Sequence, residues 1–298
     1  MARIHYDRLP TERLNPRSRA LDRLSPVAIA RLMNRADHEA VTAVGRAAPA
    51  IGRAVTAIVA CLSSGGRLIF LGAGTSGRLG VIEAAECPPT FNIGPGQVQA
   101  LMAGGQQAVF RSVEGAEDNA RAGARAVRGR ARRGDAVVGI AASGVTPFVL
   151  AALGEARRRG ALTVLVTCNS SVPRAAARIV IALRVGPEVL AGSTRLKAGT
   201  ATKLTLNTLT TAAFTRLGKV HGNRMVDLQP KSAKLRARAR RLVRDLGHVS
   251  AARAVKLLEQ AGGSAKIAIV MARRRVTAVG ARRRLGAAGG FLGPAAGI

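Results

Sequence analysis

Five short apolar runs, most of them separated by stretches of helical spacing, constrain this chain more than any other feature. They are "RLIFLG" (67–72), "QVQALMAG" (97–104), "DAVVGIAAS" (135–143), "LTVLVTCN" (162–169) and "RIVIALRVG" (178–186), mostly rich in β-branched residues. Continuous apolar strands alternating with helices predict an α/β fold, a parallel sheet covered by helices on both faces, with ligands held at the carboxyl ends of the strands. Composition agrees. Hydrophobic residues make up 48% of the chain but aromatics only 2%, so the core is built from Ala, Val, Leu and Ile rather than the rings of a β-sandwich.

The flanks read as helical or irregular. Residues 1 to about 25 are polar and punctuated by proline, which reads as an extended arm. From Ser25 the spacing is helical, with Ser25 as N-cap and Pro26 at the first helical position, until Gly65-Gly66 ends the segment. A Thr-rich helical stretch runs from Gly192 to Leu217, and "GKVHGNRMVD" closes the sheet region. Beyond it, "SAKLRARARRLVRDLG", "SAARAVKLLEQAGG" and "SAKIAIVMARRR" each open with serine, a good N-cap. The expected organisation is an arm and helices over 1–55, a sheet domain over 56–228 and a helical subdomain over 229–298.

The formal net charge of +31 points first to nucleic acid. The basic residues, however, are spread over helix-like segments such as "ARAVRGRARRG", the pattern of solvated helix faces. One Tyr and no Trp leave almost no stacking platform for single strands. Nucleic acid is therefore not the expected partner, and the positive field serves instead to attract small anions. Cys61, Cys87 and Cys168 are far apart, so neither a disulfide framework nor a zinc site is implied, and a reducing cytoplasm fits. No apolar run reaches the roughly 18 residues of a membrane span. No membrane association is expected.

Two loops at strand ends carry the chemistry. Gly72-Ala73-Gly74-Thr75-Ser76-Gly77 matches G-x-G-x-x-G, but the next strand, "QVQALMAGG", lacks the acid that would hold a ribose, which disfavours a nicotinamide cofactor. Thr75 and Ser76 instead open a helix, where free backbone N–H groups favour an anion. The loop "AASGVTPF" after the third run offers Ser143 and Thr146 in the same way. These hydroxyls either cap their helices or close around one phosphate from two sides; two such loops in one sheet favour phosphate.

The glycine loop and "SGVT" resemble the sugar-isomerase (SIS) phosphosugar-binding fold. More narrowly, "GAGTSGRLG", "AECPPTF", "EGAED", "AASGVTPF", "GPEVLAGSTRLKAGTATKLTLN" and "GKVHGNRMVD" resemble the N-acetylmuramic acid 6-phosphate etherases, relatives of the glucokinase regulatory protein. The resemblance runs from about Pro10 to the last helices, and its long motifs are far more specific than the glycine loop. It implies an SIS-type five-stranded parallel sheet in three αβα layers. It implies also a cytoplasmic homodimer, and a lyase that removes lactate from the carbon-3 ether without metal or cofactor. A phosphosugar-sensing regulator without catalysis is the alternative.

Motif matching places the family's catalytic glutamates on Glu86 of "AECPPT" and Glu117 of "EGAED", Glu86 as the acid that protonates lactate and Glu117 assisting proton transfer or hydration. Pro88-Pro89 is expected to end the helix and fix Glu86. Without the resemblance, Glu86 reads as a helix-terminal surface acid and Glu117 as an i,i+4 partner of Arg121. Glu83 and Glu114 read as structural or supporting. Ser193, Thr194, Arg195 and Lys197 are expected to bind the substrate's anionic or amide groups, or else to brace a subunit contact. The chain departs from the family pattern at Val145, where Arg is usual, at Phe148 for Tyr, at Glu83 for Asp and at Ala85 for Ser.

Overall fold

The computed structural model describes residues 9–298 apart from 229 and 231, so residues 1–8 of the arm lie outside the described residues. Two compact units emerge, one from residues 1–85 and 96–210, the other from 86–95 and 211–298. The chain passes from one unit to the other at Ala85/Glu86, Pro95/Gly96 and Thr210/Thr211.

In the first unit the strands are β1 (Leu68–Gly72), β2 (Val98–Met102), β3 (Ala136–Ile140), β4 (Leu162–Thr167) and β5 (Ile179–Ala182). All five are parallel, in the order β2-β1-β3-β4-β5. Leu68 pairs with Val98 on one side and with Ala136 on the other, which makes β1 and β3 central strands with every residue buried. The five apolar runs thus form the expected sheet. In this order the chain reverses direction across the sheet between β1 and β3, and the loops leaving their carboxyl ends diverge to open a crevice.

Helices α4 (Ala120–Arg128) and α5 (Pro147–Arg158) cover one face, where Val127, Phe148, Val149 and Leu153 pack with Ile69, Val137 and Leu165. α2 (Ala48–Ser63) packs on β4 and β5. At the foot of the sheet the buried Asp135 carboxylate accepts hydrogen bonds from Arg67 N, Nε and Nη2 and from Arg132 N, tying the starts of β1 and β3 together. Burial works against the charged form of Asp135, but the Arg67 guanidinium and the two backbone N–H groups win and hold its pKa below the usual carboxylate value.

Several local expectations are corrected. The arm is not simply extended: short 3-10 turns occupy Pro16–Ser18 and Leu21–Arg23. The helical segment from Ser25 begins as expected, with the Ser25 hydroxyl accepting from Ala28 N. It is two helices, however, α1 (Pro26–Arg46) and α2, bent by 57° at Ala47. Pro49 has no N–H to give the preceding turn, so it starts a new helix. Conversely, Pro88 and Pro89 lie inside α3 (Gly74–Phe91) and do not end it. The end comes at Asn92, left-handed at φ 50° and bonded through its N–H to Pro88 O.

The second unit has its own core. A two-stranded antiparallel hairpin, β6 (Val220–His221) with β7 (Arg224–Met225), belongs here rather than closing the sheet. Helices α7 (Ala233–Gly247), α8 (Ala251–Gln260), α9 (Ala265–Arg274), α10 (Ala278–Ala287) and α11 (Leu292–Ala296) bury Leu242, Val243, Leu257, Ile269 and Leu292. Ser232, Ser250 and Ser264 cap α7, α8 and α9 as expected. The Lys266 ammonium is buried here, donating to Gly218 O, Gly290 O and Asp227 Oδ2, and burial pushes its pKa down despite Asp227. Among the described residues no single helix is long and apolar enough to cross a membrane.

Candidate functional site

At the carboxyl ends of β1 and β3 a cavity of about 270 Å³ opens in the first unit. Its floor is the loop after β1 and the start of α3, with Thr75 and Ser76, and the loop after β3, with Ser143, Val145 and Thr146. The glycines explain the close approach. A Cβ on Gly72 would stand 2.7 Å from Gly77 N, and one on Gly77 2.6 Å from Gly72 O, so only glycine at both lets the strand end and the helix start touch backbone to backbone. The first residues of α3, Gly74, Thr75 and Ser76, thereby line the cavity, and a helix start of this kind carries free N–H groups that favour an anion.

Thr146 occupies the N-cap position of α5, yet its side chain makes no capping hydrogen bond. Its hydroxyl lies 3.4 Å from that of Ser143, whose Oγ accepts from Val145 N. Thr146 therefore does not cap α5 through its side chain, and its hydroxyl lines the cavity beside that of Ser143. Thr167 and Asn169, at the end of β4, hold this turn from behind: Thr167 Oγ1 donates to Ala142 O and Asn169 Nδ2 to Ser143 O. Both were visible in "LTVLVTCN", but nothing in that run signalled their partners.

Glu117 and Asp118 line the cavity from a 3-10 turn, Ala116–Asp118, ahead of α4, whose N-cap Asn119 accepts from Ala122 N. A smaller adjoining cavity shares Ala73, Gly74 and Glu117 and is lined by Glu114 and Arg78. Arg78 is a residue the sequence reading passed over. Its guanidinium donates to Val109 O, Ala108 O and Arg111 O, fixing the loop that leads to Glu114 and Glu117. Glu86, further along α3, is exposed and is not among the residues lining the cavity. Glu83 is buried and structural, held by Lys203 Nζ at 3.0 Å and the Thr210 hydroxyl at 2.5 Å.

The long motif from Gly186 builds the cavity's wall. The carboxylate of Glu188, fully buried, accepts from Lys197 N and Ala198 N and so caps α6 (Lys197–Arg216). Burial raises the pKa of Glu188 against those two bonds and the Lys197 charge. Lys197, expected to bind substrate, is instead 1% exposed, its ammonium 2.7 Å from both Glu39 Oε2 and Val185 O. An ammonium so engaged braces the loop, with two of its three N–H donors taken. Ser193 and the exposed Arg195 do not line the cavity, whereas Thr194 and Gly192 do. Glu12, from the arm, lines it as well. Nothing in the sequence singled out Glu12.

One property of the lining stands against the composition. Among the described residues, none that line this cavity is Lys or Arg, in a chain with 47 of them, while three are acids. An anion held here is held by hydroxyls and backbone N–H groups at two helix starts, with side-chain carboxylates left unneutralised nearby. That arrangement suits proton transfer beside a bound phosphate.

A sequence model described as the glucokinase regulatory protein N-terminal SIS domain matches residues 50–157, and one of the SIS domain matches residues 119–212. The N-acetylmuramic acid 6-phosphate etherase of Gloeobacter violaceus is 50% identical over 95% of this chain and 94% of its own length. That of Cutibacterium acnes is 50% identical over 95% and 93%. That of Aeromonas hydrophila is 46% identical over 97% and 98%. With a parallel sheet ending in two hydroxyl-bearing turns and likeness along nearly its whole length, the chain belongs to the N-acetylmuramic acid 6-phosphate etherase family.

Proposed function

We propose that this protein cleaves the lactyl ether of N-acetylmuramic acid 6-phosphate by elimination and hydration, giving N-acetylglucosamine 6-phosphate and D-lactate, in the cytoplasm and as a homodimer. The observation that carries this reading is the cavity itself, with the Thr146 hydroxyl free of any capping bond, its neighbour Ser143 and the start of α3 lining it together with Glu117, in a chain of this family. The phosphate sits against Thr75, Ser76, Ser143 and Thr146, so the sugar extends toward the acids. In the open-chain form the aldehyde acidifies the C2 proton. A base removes it, the C2–C3 double bond forms, and the C3–O bond breaks as the lactyl oxygen takes a proton. Water then adds its oxygen to C3 and a proton returns to C2.

Motif matching assigns Glu86 the proton given to the lactyl oxygen and Glu117 the proton transfers at C2 or the activation of water. Arg195 and Ser193 are kept as contacts for the lactyl carboxylate or the acetamido group; Lys197 is not. Homodimerisation is supported by exposed apolar side chains such as Phe110 and Leu14, surface that a second copy would cover. In ¹⁸O-enriched water the label is expected in the C3 hydroxyl of the sugar and not in lactate. Label in lactate would mean cleavage on the other side of the ether oxygen and would overturn the mechanism.

A second reading, a phosphosugar-binding regulator without turnover, is favoured by the match to the glucokinase regulatory protein domain. Tight phosphosugar binding with no lactate release, unaltered in Glu86→Ala, would select it.

A further inference from the structure

The arm before α1 enters the cavity with one charged side chain, Glu12. The Gly192 N–H donates to Thr11 O at 3.1 Å and pins the arm to the wall of the cavity. Gly192 has φ +75°, and a Cβ there would stand 3.0 Å from Glu12 Oε2, so glycine also makes room for the carboxylate. Among the described residues Glu12 forms no ion pair, and its hydrogen-bond partner is its neighbour Thr11, whose hydroxyl donates to Oε1 at 3.3 Å. In a chain with 47 basic and 16 acidic residues, an acid without a cation inside a cavity that holds none is poised for something else.

An ionised carboxylate only accepts hydrogen bonds. It repels phosphate and the lactyl carboxylate by like charge, and it attracts hydroxyl and amide N–H groups. We propose that Glu12 is a specificity-determining residue of this cavity: it accepts a hydrogen bond from a hydroxyl or the acetamido N–H of the bound amino-sugar phosphate, and its charge disfavours anions that bring no sugar hydroxyl or amide to it. The arm is then part of the binding site, and the choice of sugar over bare phosphate is made at Glu12 while the phosphate is held at Ser143 and Thr146. This rests on the phosphosugar reading of the cavity and adds to it a residue with a separate task.

The test is titration calorimetry of N-acetylglucosamine 6-phosphate and, separately, of inorganic phosphate against the wild-type protein, Glu12→Ala and Glu12→Gln. Glu12→Ala is expected to weaken the sugar phosphate by about tenfold or more, as loss of a charge-assisted hydrogen bond does, while inorganic phosphate stays within about twofold or tightens. Glu12→Gln, which keeps an acceptor oxygen, falls between, and in the lactate assay both variants raise KM more than they lower kcat. A ratio of sugar-phosphate to phosphate affinity unchanged from wild type in both variants overturns the proposal, as does an equal loss of both ligands, the mark of an arm that has merely come away. Wild-type protein that discriminates between the ligands through Glu12 yet releases no lactate would defeat the etherase reading and leave this one standing.

Discussion

The hydroxyl of Thr146 lies 3.4 Å from that of Ser143 at the carboxyl end of β3, at a helix start where Thr146 has no capping bond to make. A hydroxyl that does nothing for its own helix should matter for ligand binding and little for stability. Thr146→Val, which keeps the shape and removes the oxygen, is expected to raise KM about tenfold and to leave the unfolding free energy within about 1 kcal/mol. Steady-state kinetics beside urea denaturation checks both halves. A large stability loss with KM unchanged would return Thr146 to a capping role.

Val145 lines the same cavity at a position where the family pattern has Arg. Val145→Arg places a guanidinium in a lining that has no cation, and a guanidinium binds phosphate with paired, charge-assisted hydrogen bonds. The expected result is a KM lowered by about tenfold at low salt, with the gain shrinking as ionic strength rises. If KM rises at every salt concentration, the phosphate does not sit where the two loops meet.

Lys197 and Glu188 show why the most specific motif was the hardest to assign. Two of its charged residues face inward: Lys197 reaches Glu39 and Val185 O, and Glu188 caps α6. Lys197→Met leaves the buried Val185 carbonyl without its donor and Glu39 with Arg17 as its remaining partner, and is expected to cost about 1–3 kcal/mol of stability, the scale for leaving a buried polar group unsatisfied. Thermal and urea unfolding measure it. A variant as stable as wild type but with a raised KM would restore Lys197 to the substrate.

Much of the fold was legible because it depends on local pattern. β1 to β5 are continuous apolar runs, and Ser25, Ser232, Ser250 and Ser264 carry capping chemistry in the residue itself. That Ser76, Ser143 and Thr146 line the cavity was legible for the same reason, since a hydroxyl at a strand-to-helix turn states its own geometry. What the sequence hid depends on partners far along the chain. Glu12 meets Gly192, Asn169 meets Ser143, and Lys197 meets Glu39, none of which leaves a periodicity or a spacing to read. The two prolines of α3 misled because a missing N–H weakens a helix without obliging it to stop.

Asp135 gives a prediction in pH. Burial opposes its charge, but Arg67 and the backbone N–H groups of Arg67 and Arg132 lower its pKa in the fold. A carboxylate depressed in this way contributes stability above its unfolded pKa of about 3.9, and that contribution is lost as pH falls through the lower folded value. Asp135→Asn is therefore expected to cost about 3 kcal/mol at pH 7, with the gap to wild type narrowing below about pH 4. Urea midpoints measured from pH 7 down to pH 2.5 test it. A gap constant across that range would contradict the assignment.

The central claim is the proposed one, that the cavity at the ends of β1 and β3 presents a phosphorylated amino sugar to Glu117 and that the reaction needs both proposed acids, Glu117 and Glu86. The direct measurement is lactate release from N-acetylmuramic acid 6-phosphate by the wild-type protein, Glu86→Gln and Glu117→Gln, each shown to be folded. The account predicts robust release by wild type and kcat reduced about 100-fold or more in each variant with KM little altered, the scale of losing a positioned proton donor or acceptor. Folded wild-type protein that yields no lactate above background, or Glu86→Gln and Glu117→Gln that both turn over at the wild-type rate, would contradict it.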